Sequence, residues 1–367
     1  MRRRMANHNA LLVTYTMTDP AAVGVFFRAL RIAAELHERG WNSTIVNHGR
    51  IPDDPKVDAA RRYCEIIDLQ TGDGATDYSL AMPIFKRVGP EVIFFGEYPM
   101  AFTEPFFDAS RALVKPPLLV MDQYYDPGSG LRLRGVDYFL MYGLRALWPE
   151  HKARNRTFRI VPPFIDRVTP KPELPVPAKF AEMPWVLVAG WEKRVLQAGI
   201  DILAKLRGTE VLGITLSHDP ALAETMMEEA GVPADRRLAL PLQHDADFFG
   251  LIAASRAVVL ANGFMQMAEA VALGCPAVCV HRGIGMDGYM VHEAFHPFVT
   301  FDSDTDERAR RVDGWIRATP FSDAQLAALQ RERGGARITA DYLEHAARKP
   351  RLTARVQRYA ARLASQR

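Results

Sequence analysis

Short apolar runs recur along the chain, each bounded by Gly, Pro, Asn or Asp and separated from the next by a stretch of mixed character. Runs of this length form parallel strands buried on both faces, because alternation disappears when neither face meets water. Ala10–Tyr15 is the first. A polar, proline-containing loop covers Thr16 to Ala22. Helical spacing then takes over from Gly24 to Arg39, with Phe27, Leu30, Ala34 and Leu36 close to one face and Gly40 as the stop. Asn42–Asn47 supplies the next strand, so the chain opens with a strand-loop-helix-strand unit. Further strands are predicted at Val92–Phe95, Pro117–Met121, Asp137–Met141 and Phe158–Val161. A second series follows at Trp185–Ala189, Glu210–Ile214, Leu238–Leu240, Ala257–Leu260 and Ala277–Val280, and two helices rich in Ala, Arg and Gln are predicted from Ser322 onward.

Strands alternating with helices in this way predict an α/β protein with doubly wound parallel sheets. Seven prolines from Pro162 to Pro184 separate the two series and read as a stiff, extended linker. The expected organisation is therefore a first domain over residues 1–165, a linker over 166–184, a second domain over 185–345 and a terminal helical segment over 346–367.

The second series contains the most informative stretch. Ala257–Leu260 is a β-branched strand, Asn262-Gly263 breaks it, and Met265–Leu273 reads as a helix rich in Met and Ala. Gly274 stands where a C-cap glycine belongs and Pro276 follows, ahead of the next strand. One carboxylate, Glu269, sits inside that apolar helix. Beside the carboxyl end of a parallel strand it would face the crevice where open sheets bind ligands; a solvent-facing glutamate is the plain alternative.

Composition narrows the choice of function. A chain of 367 residues can build two full cores, and a formal charge of +3 without a long basic tract argues against nucleic acid. No stretch approaches the roughly 20 apolar residues of a membrane span. Cys64, Cys275 and Cys279 have no metal-site spacing and fit a reduced, cytoplasmic setting. The basic-aromatic run from Arg132 to Arg159, with Tyr138, Phe139, Tyr142 and Trp148, has two readings: peripheral contact with a membrane carrying a lipid acceptor, or core aromatics under a solvated helix.

The order of residues from Asn262 to Asp287 resembles the donor-nucleotide segment of GT-B glycosyltransferases, the MurG-like and UDP-glycosyltransferase families. Their pattern of small residue, Gly, hydroxyl residue, Glu-Ala, Gly and Pro stands here as Asn262, Gly263, Gln266, Glu269, Ala270, Gly274 and Pro276, followed by His281 and Asp287. The resemblance implies that Glu269 holds ribose hydroxyls and that the Asn262-Gly263 turn admits the diphosphate. It likewise implies that Gly190, Lys193 and Arg194 lie beside the diphosphate and that Leu242 lies in the segment that holds the base. Gln266 replaces the usual hydroxyl residue, Ala261 a frequent phosphate-binding histidine, and Gly288 the Gln of an Asp-Gln pair. A second resemblance runs from Gly24 through Arg28, Leu30, Ala33, Leu36, Arg39 and Gly40, along the amino-terminal helix of the same families. Val25 occupies the position of their general-base histidine. The same relatives send a last helix back onto the first domain, for which Leu352–Ser365 is long enough.

The expected reaction is transfer of a sugar from a UDP- or dTDP-sugar to a small-molecule or lipid acceptor. With the histidine absent, the candidate bases are Asp19, the first choice, Asp122 and Asp126, with Glu97 behind them; each is also an ordinary turn or cap residue. No Asp-x-Asp triplet in the setting used by metal-dependent GT-A enzymes is recognised, so neither a metal nor any other cofactor is expected. Two alternatives stay open: a nucleotide-sugar hydrolase or 2-epimerase of the same architecture, and a non-catalytic partner subunit.

Overall fold

The computed structural model describes residues 8–16, 24–70, 77–96, 118–122, 138–145, 158–165, 168, 183–190, 193–206, 208–241, 246–261, 264–280, 297–301 and 303–348. The expected linker 166–184 and the segment Leu352–Ser365 lie almost wholly outside these residues.

Two parallel sheets carry the fold. In the first, β1 (His8–Tyr15), β2 (Trp41–His48), β3 (Cys64–Asp68), β4 (Val92–Phe95), β5 (Leu118–Asp122), β6 (Tyr138–Tyr142) and β7 (Phe158–Val161) are ordered β3-β2-β1-β4-β5-β6-β7. In the second, β8 (Trp185–Ala189), β9 (Leu212–Ser217), β10 (Arg237–Pro241), β11 (Ser255–Leu260), β12 (Ala277–Cys279) and β13 (Val299–Thr300) are ordered β10-β9-β8-β11-β12-β13. Every ladder is parallel. Both orders reverse beside the first strand of their sheet, between β1 and β4 and between β8 and β11. Ligand crevices open at the carboxyl edge of such switch points.

The strands are central because their residues are apolar on both faces: β1 is buried from Ala10 to Tyr15 and β11 from Ala257 to Leu260. The connecting helices cover them. Among the described residues of the first domain these are α1 (Gly24–Glu38), α2 (Pro55–Ala60) and α3 (Ala81–Val88). In the second they are α4 (Lys193–Lys205), α5 (Pro220–Glu229), α6 (Ala246–Ala254), α7 (Phe264–Ala272) and α8 (Thr305–Arg317), followed by α9 (Asp323–Arg331) and α10 (Gly335–Arg348). Helix α1 lays Val25, Phe26, Ala29, Ile32, Ala33 and Leu36 into the core and buries Arg28 with them.

Helix α10 follows the second sheet in sequence but packs on α1, β4 and β7 of the first. The expected domain boundary at 345/346 falls inside it. Its entry is tight: Gly335 donates its N–H to the Pro163 carbonyl at 3.0 Å, and a Cβ on Gly335 would stand 2.2 Å from the Pro162 oxygen. Polar contacts then fasten the helix. Arg39 pairs with Asp341 at 2.7 Å and Glu344 at 3.7 Å, and the Trp41 indole donates to Glu344 at 3.1 Å. These pairs are partly solvent-exposed, so Arg39→Ala should cost about 1 kcal/mol, less as salt rises. Thermal melts at low and high ionic strength check this; a loss independent of salt would mean that the aliphatic stem, and not the charge, docks the helix.

Candidate active site at the switch points

In the second sheet Leu260 pairs with Ala189, so the chain leaves β11 and β8 side by side. Helices α7 and α4 start just beyond, so their N-terminal N–H groups, which no residue of the same helix can accept from, lie at this edge. The β8–α4 turn is close because Gly190 has no side chain: a Cβ there would lie 2.8 Å from a Val195 methyl and 3.2 Å from the Leu196 nitrogen. Lys193 and Arg194, the first residues of α4, are exposed and have no ion-pair partner among the described residues. The fold thus brings Gly190, Lys193 and Arg194 to the same edge as α7, which carries Gln266 and Glu269.

Gln266 is half-buried, yet its side-chain oxygen is fully buried and finds no hydrogen-bond partner among the described residues. An amide oxygen in that condition is an acceptor in want of a donor. Glu269 is 7% exposed, which disposes of the solvent-facing alternative. Its Oε1 accepts a hydrogen bond of 3.2 Å from the hydroxyl of Tyr142, the last residue of β6 in the other domain.

Tyr142 is wholly buried and stacks on Phe164, ring centroids 6.0 Å apart at 14°. The Arg28 guanidinium carbon lies 5.8 Å from the Tyr142 ring centroid. Burial pushes the Tyr142 phenol well above its usual range, the Glu269 charge pushes it further, and Arg28 and a main-chain bond from Phe164 pull the other way. Tyr142 therefore remains a protonated donor at any physiological pH. Sequence reading placed Tyr142 only within the basic-aromatic run. The described part of that run consists mainly of strands, and this tyrosine faces the interior.

Asp122 ends β5 with its backbone paired to Met141, one residue before Tyr142, so both stand at the carboxyl edge of adjacent strands. Asp19, Leu242, Asn262, Gly263 and Asp287 lie outside the described residues, as do Glu97 and Asp126. Val25, where relatives have a histidine, is buried and its methyl would meet a Cβ on Gly96 at 2.6 Å. The start of α1 therefore presents no base.

Asp-x-Asp triplets stand at 245–247, 302–304 and 304–306. Asp304 caps α8, accepting from the Asp306 and Glu307 nitrogens at 2.7 and 3.0 Å, and Asp306 pairs with Lys205 at 2.5 Å. These carboxylates serve a helix terminus. Among the described residues no group of three His, Cys, Asp or Glu side chains is placed to hold a metal ion.

No protein-family profile matches the chain, and no curated protein aligns with it. Solved structures do match. The kitacinnamycin glycotransferase superposes with a TM-score of 0.63 at 14% identity, over 93% of this chain and 100% of that one. MurG of Acinetobacter baumannii gives 0.59 at 15% identity, over 92% and 99%. The UDP-GlcNAc 2-epimerase of Neisseria meningitidis, bound to UDP-GlcNAc, gives 0.59 at 10% identity, over 92% and 99%. The chain has the GT-B fold: two Rossmann-like parallel-sheet domains, shared by glycosyltransferases and 2-epimerases.

Proposed function

We propose that this chain binds a UDP- or dTDP-sugar at the carboxyl edge of its second sheet and transfers the sugar, with inversion, to a small-molecule or lipid acceptor. The observation that carries the reading is Glu269, a buried carboxylate just beyond the switch-point strand of a GT-B fold. In this reading Glu269 accepts ribose hydroxyls. The N-termini of α4 and α7, with Lys193 and Arg194, offset the diphosphate charge, and Gln266 accepts from a donor on the ligand. The acceptor oxygen attacks the anomeric carbon, the bond to the phosphate oxygen breaks, and the acceptor proton passes to a carboxylate, Asp19 by preference and Asp122 otherwise. Three free, buried cysteines support a reducing, cytoplasmic setting. Among the described residues no helix is long and apolar enough to cross a membrane.

Hydrolysis or epimerisation of the nucleotide sugar is the second reading, supported by the buried Val25 in place of a base and by the 2-epimerases that share the fold. A panel of UDP- and dTDP-sugars, assayed with and without acceptors, separates the two. Nucleotide release that requires an acceptor upholds transfer, and release at the same rate without one removes it. A thermal shift with none of the nucleotides removes both readings.

Activity is expected to persist in excess EDTA, since helix termini and basic side chains can serve the leaving group. Turnover lost on chelation and restored by magnesium or manganese would contradict this, and would direct attention back to the Asp-x-Asp triplets.

A further inference from the structure

We infer that Tyr142 is a positioning residue for Glu269, so that the nucleotide site of the second domain is completed by a hydroxyl from the first. The inference rests on the nucleotide-binding reading of Glu269.

The hydrogen bond has a fixed direction. The tyrosine sends its single O–H to Glu269 Oε1, at 3.2 Å, where the carboxylate oxygen can only accept. A carboxylate offers about four lone-pair positions, so this bond fixes its orientation without excluding ribose hydroxyls.

The donor is also rigid. Tyr142 belongs to β6, paired in register with Val161 of β7, and is wholly buried. Phe164, which stacks on it, is 1% exposed, and its carbonyl accepts a hydrogen bond from Arg31 of α1. Arg28, one turn earlier on α1, lies over the Tyr142 ring. Helix α1, Phe164 and β6 therefore hold one tyrosine ring in place, and its hydroxyl reaches the one carboxylate of α7. A carboxylate held in this way keeps one rotamer, which spares a ligand the entropy of ordering it.

The test is calorimetry of UDP and dTDP on the full-length chain and on Tyr142→Phe, Glu269→Ala and the double variant. Tyr142→Phe keeps the ring and its stacking, and circular dichroism confirms its fold. We expect its nucleotide affinity to fall about 5- to 20-fold, the size of a hydrogen bond to a charged group. In the Glu269→Ala background the same change should have no further effect, because the group it positions is gone. An equal loss in both backgrounds overturns the inference, since Tyr142 would then be structural only. Tighter binding in Tyr142→Phe also overturns it, since the hydroxyl would be competing with the ligand. Unchanged affinity in Glu269→Ala alone is a different failure: it withdraws the nucleotide-site reading, and this inference with it.

Discussion

Glu269→Ala is expected to weaken UDP and dTDP binding by about 1.5–3 kcal/mol while the fold survives. The size follows from removing a charged acceptor from hydrogen bonds with ribose hydroxyls, which are worth more than neutral ones. The fold survives because Glu269 is one polar group within a continuous core that runs through α7 by way of Met267, Ala268, Ala270 and Val271. Removing it leaves the Tyr142 hydroxyl without this acceptor, a penalty of about 1–3 kcal/mol, and also relieves the desolvation of a buried charge. The two changes oppose each other in stability but not in binding. Calorimetry and circular dichroism on the same preparation read both. Unchanged affinity for both nucleotides sinks the donor-site assignment, and a lost circular dichroism signal would mean that the carboxylate is needed for the fold.

Most of the fold was legible because its signals are local. The unit from β11 to β12 was readable residue by residue: a β-branched strand, a Gly turn, an Ala- and Met-rich helix, and Gly274 at φ 80° as its stop. Observed strand ends differ from the expected ones by a few residues, as at β9, which runs Leu212–Ser217 and not Glu210–Ile214. Two of the elements missed have sequences that carry little period. Strand β3, Cys64–Asp68, sets two carboxylates around an Ile-Ile pair at the sheet edge, so it shows no clean alternation. Helix α8 is dominated by charge and buries only Arg308, Ala309, Val312 and Trp315. An arginine in that buried set hides the stripe from any apolar pattern.

The site was legible only where it is local. Glu269, Gln266 and Gly190 come from segments whose order carries the information, and the sheet order then brings those segments together. Tyr142 could not be found that way. It stands 127 residues before Glu269, on the other domain, and its role exists only once α7 meets the end of β6. Val25 shows the reverse case. Its substitution for histidine was plain in the sequence, and the structure supplies the consequence, a helix start packed against Gly96.

Because that helix start offers no base, the second large effect is expected elsewhere. Asp19→Asn should lower kcat by roughly 10²–10⁴ with little change in nucleotide affinity, since asparagine keeps size and hydrogen bonding but cannot take a proton. The described residues on either side of the segment that carries Asp19 are Thr16 and Gly24. Thr16 is anchored at the carboxyl edge of β1: its N–H donates to the His48 carbonyl at 2.8 Å and its hydroxyl to the Arg50 carbonyl at 2.7 Å, while Asn47 donates to that hydroxyl at 3.0 Å. The chain enters α1 at Gly24, so both ends are held at the switch point of the first sheet. Asp122→Asn is the paired control, expected to act more weakly, because Asp122 ends β5 beyond β4 and lies further along the sheet. A dead Asp122→Asn beside a fully active Asp19→Asn moves the base to β5. Two active variants would mean that the acceptor arrives as an anion or a thiolate, whose attack needs no protein base. Val25→His, which restores the relatives' residue, should not rescue Asp19→Asn, because that position is packed against Gly96.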